Sequence, residues 1–184
     1  MVIVGWDAAL ANNGLVTIID NNGLTVAGAG IITTKKNKSQ GTFGNIDYIN
    51  RAFEIGEALK KYILDANADL VVAEVPTTGT QSKVAAMAFG IVYGMIGGGL
   101  LTDQQLSSTP FILSQPVLTK TKLCDAKNAS KAKIEEAVKE LLPNIVEHVG
   151  VAKKSQHEHI YDAAGVVLAN LNDPIYKAVK NAER

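Results

Sequence analysis

Short apolar runs separated by turn residues fill the first third of the chain. Val2-Ile3-Val4-Gly5-Trp6-Asp7 is followed by a second run from Gly14 to Asp20, and the turn signal Asp20-Asn21-Asn22-Gly23 leads into a third from Leu24 to Thr33. This pattern predicts a three-stranded meander. The polar stretch Thr34-Lys35-Lys36-Asn37-Lys38-Ser39-Gln40-Gly41 then reads as a loop. Ile49, Phe53, Gly56, Leu59 and Ile63 recur at helical spacing and predict an amphipathic helix over Ile46 to Ala66. Asp69-Leu70-Val71-Val72-Ala73-Glu74-Val75 is dense in β-branched residues and ends at Pro76, as a buried parallel strand does. A second helix from Ser82 to Ile96, a short strand at Phe111-Ile112-Leu113 and a helix from Ser130 to Leu142, stopped by Pro143, follow. The last predicted helix runs to about Asn170, with Ser155-Gln156-His157-Glu158 matching a capping box. The order is three strands, helix, strand, helix, strand, helix, helix, which makes an α/β domain with a mixed sheet.

Composition narrows this picture. A chain of 184 residues with 47% hydrophobic residues can bury one substantial core, and no linker or repeat divides it, so a single domain over 1–184 is expected. Eighteen basic and eighteen acidic residues balance to a net charge of zero. Any affinity for nucleic acid must therefore come from local patches rather than a global positive field. The lone Cys124 has no intramolecular disulfide partner and the opening residues lack a basic leader pattern, which points to a reducing, cytoplasmic compartment. Val84 to Leu101 carries no charge, yet it is rich in glycine and has no aromatic belt or basic flanks. A helix in the core or at a subunit interface is expected there, not a membrane span.

The candidate chemistry lies at the ends of the apolar runs. Strand alternation places Asp7 on the face of Ile3 and Gly5, and Glu74 on the face of Leu70 and Val72. A carboxylate following core-facing residues needs a hydrogen-bond partner or a cation, and a strand-end acid bending out to solvent is the ordinary alternative. His159 and Asp162 stand three apart on the last helix, so they share a face that continues through Val166 into apolar positions. Glu158 is accounted for by the capping box, and His157 and His148 are expected at the surface. Three carboxylates and an imidazole drawn from separate segments would make an anionic cluster suited to Mg²⁺, with Mn²⁺ as a substitute. Its chemistry would be metal-assisted phosphodiester hydrolysis.

Taken together, Val4-Gly5-Trp6-Asp7, Val71-Val72-Ala73-Glu74 and His159-Ile160-Tyr161-Asp162-Ala163-Ala164 resemble, in order and spacing, the three acidic motifs of Holliday junction resolvases of the RuvC type. The resemblance spans most of the chain. It implies an RNase H-like fold, a mixed five-stranded sheet flanked by helices. It also implies a structure-specific endonuclease acting on four-way or other branched DNA, with Asp7, Glu74, His159 and Asp162 as the metal-binding and catalytic set. Within Asp125-Ala126-Lys127-Asn128-Ala129-Ser130-Lys131-Ala132-Lys133, Lys131 best matches the lysine that the family brings to the scissile phosphate. One departure is visible: bacterial members carry an aromatic residue shortly after the glutamate, whereas Val75-Pro76-Thr77-Thr78 has none.

Charge placement suits a DNA partner. Lys120, Lys122, Lys127, Lys131 and Lys133 form one basic run, Lys35, Lys36 and Lys38 share a loop, and Lys153 and Lys154 precede the final helix. A solvated lysine face is the alternative for each group. A two-fold symmetric junction calls for two symmetric sites, and the apolar Val84 to Leu101 segment, with Gly90 and Gly94 one turn apart, offers a surface for a homodimer. A non-catalytic junction-binding protein on the same fold and a ribonuclease H-type nuclease are the alternatives. An actin-like or sugar-kinase ATPase would need a second clamping domain for which the chain is too short.

Overall fold

A computed structural model describes residues 1–36, 44–75 and 83–182 of the chain. Five strands form one sheet: β1 (Val2–Asp7), β2 (Asn12–Asp20), β3 (Leu24–Thr33), β4 (Leu70–Glu74) and β5 (Phe111–Ser114), in the order β3-β2-β1-β4-β5. The first three make the expected antiparallel meander, and β4 and β5 join β1 in parallel. The sheet is covered on both sides, which is why β1 and β4 read as continuous apolar runs. One face carries Ile3, Leu70, Val72 and Ile112, and the other Val4, Trp6, Val71 and Ala73.

Against the Trp6 face pack α1 (Gly44–Asp65) and α2 (Lys83–Met95), the latter running into a π-helical turn at Ile96–Leu100. Among its described residues the uncharged segment buries Val92, Ile96 and Leu100, at four-residue spacing, and leaves Tyr93, Leu101 and the glycines between them exposed. Among the described residues no helix is long and apolar enough to cross a membrane.

The opposite face is covered by α3 (Pro116–Cys124), α4 (Lys131–Leu141), α5 (Ile145–His148), α6 (His157–Ala169) and α7 (Pro174–Ala182). Of these, α6 is central. It crosses β1 and β2 so closely that a Cβ added at Gly5 would lie 2.2 Å from the carbonyl oxygen of Ala163, and one at Gly14 would lie 1.9 Å from that of His159. Only glycine at both positions lets the helix backbone reach the sheet.

Three helices were absent from the sequence pattern. The short α3 starts at Pro116 in its first turn, α5 is a single turn, and α7 is held from a distance: the Tyr176 hydroxyl donates to Asp20 Oδ2 at 2.5 Å and Lys180 Nζ lies 2.6 Å from the same oxygen. No local periodicity encodes a tether of that kind. The expected Ser155 capping box is also corrected. A 3-10 turn at Lys154–Gln156 precedes α6, the Gln156 side chain accepts from the Lys153 amide at 3.4 Å, and Glu158 is engaged elsewhere. His157 is half-buried with Nε2 3.1 Å from the Ala152 carbonyl, and His148 is half-buried as well.

Candidate active site

Asp7 and Glu74 are direct partners in the parallel register of β1 and β4, and Ser114 stands opposite Glu74 on β5. Side chains in register share a face, so two carboxylates and a hydroxyl form a row at the carboxyl ends of three neighbouring strands, on the side covered by α6. The glycine contacts described above lay the first turns of α6 over the end of β1. That brings His159 Nδ1 to 2.7 Å from Asp7 Oδ2. Asp162, one turn further along, faces the same space, and the Asp7, His159 and Asp162 side chains are each less than a fifth exposed.

The electrostatics follow from this crowding. Burial pushes the Glu74 carboxyl up to about 7, and the charges of Asp7 and Asp162 add to that, while a hydrogen bond from Thr119 opposes it. Burial raises Asp162 to about 6, with Asp7 as the next cause. His159 is raised, chiefly by its bond to Asp7. Carboxyls that resist ionisation because they are buried, with further acids nearby, mark a place where positive charge is missing.

Lys131 enters from α4. Ser130 caps that helix, its Oγ accepting from the Lys133 amide at 3.3 Å, which fixes Lys131 as the first helical residue. Its Nζ lies 2.7 Å from Glu158 and 3.9 Å from Asp162. Burial opposes the ammonium charge, but the bond to Glu158 and the nearby Asp162 and Asp7 outweigh it and hold the Lys131 pKa above its ordinary value. The structure thus gathers Asp7, Glu74, His159, Asp162 and Lys131 at one place.

Hard oxygen donors with one imidazole suit Mg²⁺ or Mn²⁺, and the two carboxyls raised by burial and by nearby acids lie where a divalent cation would be favourable. The donor set therefore fits the expected ion. Its geometry does not make a ready shell: among the described residues no three histidine, cysteine or acidic side chains converge closely enough to hold a metal. The reason is visible in the partners. Asp7 Oδ2 is taken by His159, Glu74 Oε2 by Thr119, and Asp162 lies within reach of Lys131. Metal binding would require the three carboxyl side chains to draw closer together around the ion.

Asp7 and Glu74 also line an open cavity of about 180 Å³ whose other walls include Ala8, Leu10, Phe89 and Pro116. Around it, the expected basic residues are spread on two sides. Lys120 is half-buried on α3 and close enough to Glu74 to oppose the rise of its pKa, while Lys122, Lys127 and Lys133 are exposed. Lys35 and Lys36 are exposed just after Thr34, whose amide bonds to the Ala11 carbonyl, so they emerge beside the loop that follows Asp7. Lys153 and Lys154 are exposed before α6, whereas Lys38, Pro76, Thr77 and Thr78 lie outside the described residues.

Sequence reasoning missed Thr119 and Ser114 and misassigned Glu158. Thr119 Oγ1 donates to Glu74 Oε2 at 2.7 Å, and the Ser114 Oγ is buried without a hydrogen-bond partner among the described residues. Neither stands in a charged motif. The Glu158 signal was present as an acid next to His159, but the apparent capping box absorbed it.

No protein-family model matches the chain, and no curated protein sequence matches it. Solved structures do. RuvC of Thermus thermophilus in complex with a Holliday junction substrate superposes with a TM-score of 0.68 at 15% identity, covering 98% of this chain and 96% of that one. The yeast mitochondrial Holliday junction resolvase gives 0.61 at 12% identity over 98% of this chain and 83% of its own. Fowlpox virus resolvase in complex with Holliday junction DNA gives 0.56 at 16% identity over 94% and 97%. These likenesses run over nearly the whole chain, and the expected mixed five-stranded sheet flanked by helices is the fold they share. This chain has the RNase H-like fold of the RuvC-type Holliday junction resolvases.

Proposed function

We propose that the chain is a divalent-metal-dependent endonuclease that cleaves four-way junctions or related branched DNA. The observation that carries this reading is the in-register pairing of Asp7 and Glu74 on adjacent strand ends, with His159 and Asp162 delivered above them by α6. A non-catalytic binder has no use for carboxyls buried beside one another, which costs folding energy without a cation. In the proposed reaction Asp7, Glu74 and Asp162 hold Mg²⁺ or Mn²⁺. The ion would polarise the phosphoryl oxygens and lower the pKa of an attacking water. His159 orients Asp7 through Nδ1. Lys131 leaves Glu158 to meet the scissile phosphate, and Lys120, Lys122, Lys127, Lys133, Lys35 and Lys36 hold the backbone on both sides of the site.

The proposed enzyme works as a homodimer. Ile49 and Phe53 of α1 are 56% and 70% exposed, and they border an apolar groove with Ile91, Gly94, Met95 and Gly99. A side chain at Gly90 or Gly94 would meet nothing within 4 Å, so the face is open to a partner. A second copy on this face would pair two sites for two symmetric cuts.

Cleavage of a labelled four-way junction, an RNA–DNA hybrid and a linear duplex, each with Mg²⁺ or Mn²⁺, tests the reading. The junction should be cut preferentially. Asp7→Asn, Glu74→Gln and Asp162→Asn should each abolish cutting and leave junction binding intact or tighter, because losing an acid removes a metal ligand and also a repulsion against phosphate. Binding without cutting under either metal would favour the non-catalytic protein, and preferential cutting of the hybrid would favour the ribonuclease.

A further inference from the structure

The hydroxyl of Thr119 behaves unlike that of its neighbour on the same helix. Thr121 Oγ1 donates to the Val117 carbonyl four residues back at 2.8 Å, the default for a threonine inside a helix. Thr119 forgoes that bond. It is 1% exposed, and its Oγ1 donates instead to Glu74 Oε2, across 45 residues of sequence, at 2.7 Å.

The packing of α3 on α6 holds Thr119 in place for that bond. A Cβ added at Gly165 would lie 3.2 Å from Thr119 Cγ2 and 3.2 Å from Leu123 Cδ1. The missing side chain at Gly165 thus makes the seat for the Thr119 methyl, and the methyl's position sets the direction of the hydroxyl. On the other side of Glu74, the Ser114 hydroxyl stands in register but does not bond to it. Among the described residues Thr119 alone donates a side-chain hydrogen bond to this carboxylate. A half-buried glutamate has three rotatable side-chain torsions and would otherwise sample several orientations.

We propose that Thr119 is a positioning residue: seated on Gly165, it pins Oε2 of Glu74 and so fixes the orientation in which this carboxylate meets the divalent cation. The assignment rests on the metal-dependent reading given above, and it identifies a partner of the ligand set that carries no charge of its own. Hydrogen-bonded partners of metal ligands of this kind typically contribute about 10- to 100-fold to metal affinity or activity.

Thr119→Val keeps the shape and removes the hydroxyl, whereas Thr119→Ser keeps the hydroxyl and removes the methyl. Calorimetric titration of the DNA-free protein with Mn²⁺ should show affinity weakened about 10-fold or more in Thr119→Val and within about 3-fold of wild type in Thr119→Ser. Junction cleavage should show kcat falling with Thr119→Val while KM for DNA stays unchanged, because the lysines that hold DNA are untouched. In a Glu74→Gln background, Thr119→Val should have no further effect on Mn²⁺ affinity. If Thr119→Val does not fold, Thr119→Ala removes the same hydroxyl without a second methyl against Gly165 and takes its place. Wild-type Mn²⁺ affinity and kcat in the hydroxyl-free variant overturn the proposal, and so does equal loss in Thr119→Ser, which would leave only a packing role. Absence of Mn²⁺ binding in the wild type overturns it too. A wild type that binds Mn²⁺ but cuts no junction defeats the functional reading alone, since the calorimetric comparison needs no DNA.

Discussion

Removing metal and raising the pH should destabilise this protein, and the size of the effect can be worked from two side chains. Glu74 is raised from 4.5 to about 7 and Asp162 from 3.8 to about 6, in both cases mainly by burial. Between its unfolded and folded values each group holds a proton in the native state that the unfolded chain has released, so stability falls as pH rises through that interval. Each pH unit corresponds to about 1.4 kcal/mol per group, so from about pH 5 to about pH 7.5 Glu74 removes about 3 kcal/mol and Asp162 about 1 kcal/mol. The two share one repulsive field and titrate together, which makes about 3–4 kcal/mol the expected total. His159 acts in the same direction: its pKa is raised, so its contribution is complete below its ordinary value of 6.5 and is lost as pH climbs through the folded value. Glu158 and Asp20 are lowered, and their contributions change only below their ordinary values of 4.5 and 3.8. Urea unfolding of chelator-treated protein should therefore show lower stability at about pH 7.5 than at about pH 5, by several kcal/mol. Mg²⁺ or Mn²⁺ should restore more stability at the higher pH, because the ion displaces fewer protons there. Glu74→Gln should flatten most of the slope. A metal-free protein whose stability is level or rises over that range, or a Glu74→Gln variant with the wild-type slope, would refute the account of the site as an uncompensated acid cluster.

The remaining expectations concern the basic residues and the dimer. Lys131→Ala should lower the cleavage rate more than junction affinity, whereas Lys120→Ala and Lys122→Ala should weaken binding and each reduce the slope of log affinity against log salt by about 1; equal behaviour of all three would reduce the run to a solvated face. Phe53→Glu places a charge in the exposed apolar face of α1 and should shift light scattering from dimer to monomer without lowering the unfolding midpoint by more than a few degrees, and a wild type that is monomeric with and without junction DNA would remove the premise.

The sheet was legible because its strands are encoded twice, by apolar runs and by turn residues such as Asn21-Asn22-Gly23, and α1 because its apolar residues recur at helical spacing, although of the stripe read there Leu59 and Ile63 are buried while Ile49 and Phe53 are exposed. What escaped was held by distant partners. The helix α7 depends on Asp20 of β2, a contact across 156 residues, and α3 carries a single fully buried polar side chain whose partner is on β4. The acidic set was legible for a different reason: a carboxylate following core-facing residues contradicts its surroundings, and such contradictions stand out in one dimension. Thr119 contradicts nothing, since a threonine in a short polar helix is ordinary until the fold sets it against Glu74. Glu158 was misread because a local motif, Ser155 to Glu158, offered a complete explanation, while its actual partner Lys131 lies on another helix.

Glycine does for this site what no charged residue could. Gly5 and Gly14 allow the backbone of α6 to rest on β1 and β2, and that contact, more than any attraction between His159 and Asp7, decides where the imidazole stands. A methyl at Gly14 would overlap the carbonyl of His159 itself, so Gly14→Ala must lift the first turn of α6 from the sheet. Overpacking of this kind costs about 1–3 kcal/mol. The same displacement would draw His159 and Asp162 away from Asp7 together, because both ride on that turn and the next. Cleavage and metal affinity should then fall in Gly14→Ala even where thermal denaturation shows the protein still folded at the assay temperature. Placing the acidic residues of one cluster on two strand ends and a helix makes the site a consequence of sheet–helix packing, so a single uncharged methyl at Gly14, the register partner of Asp7, acts on it as directly as the loss of a carboxylate.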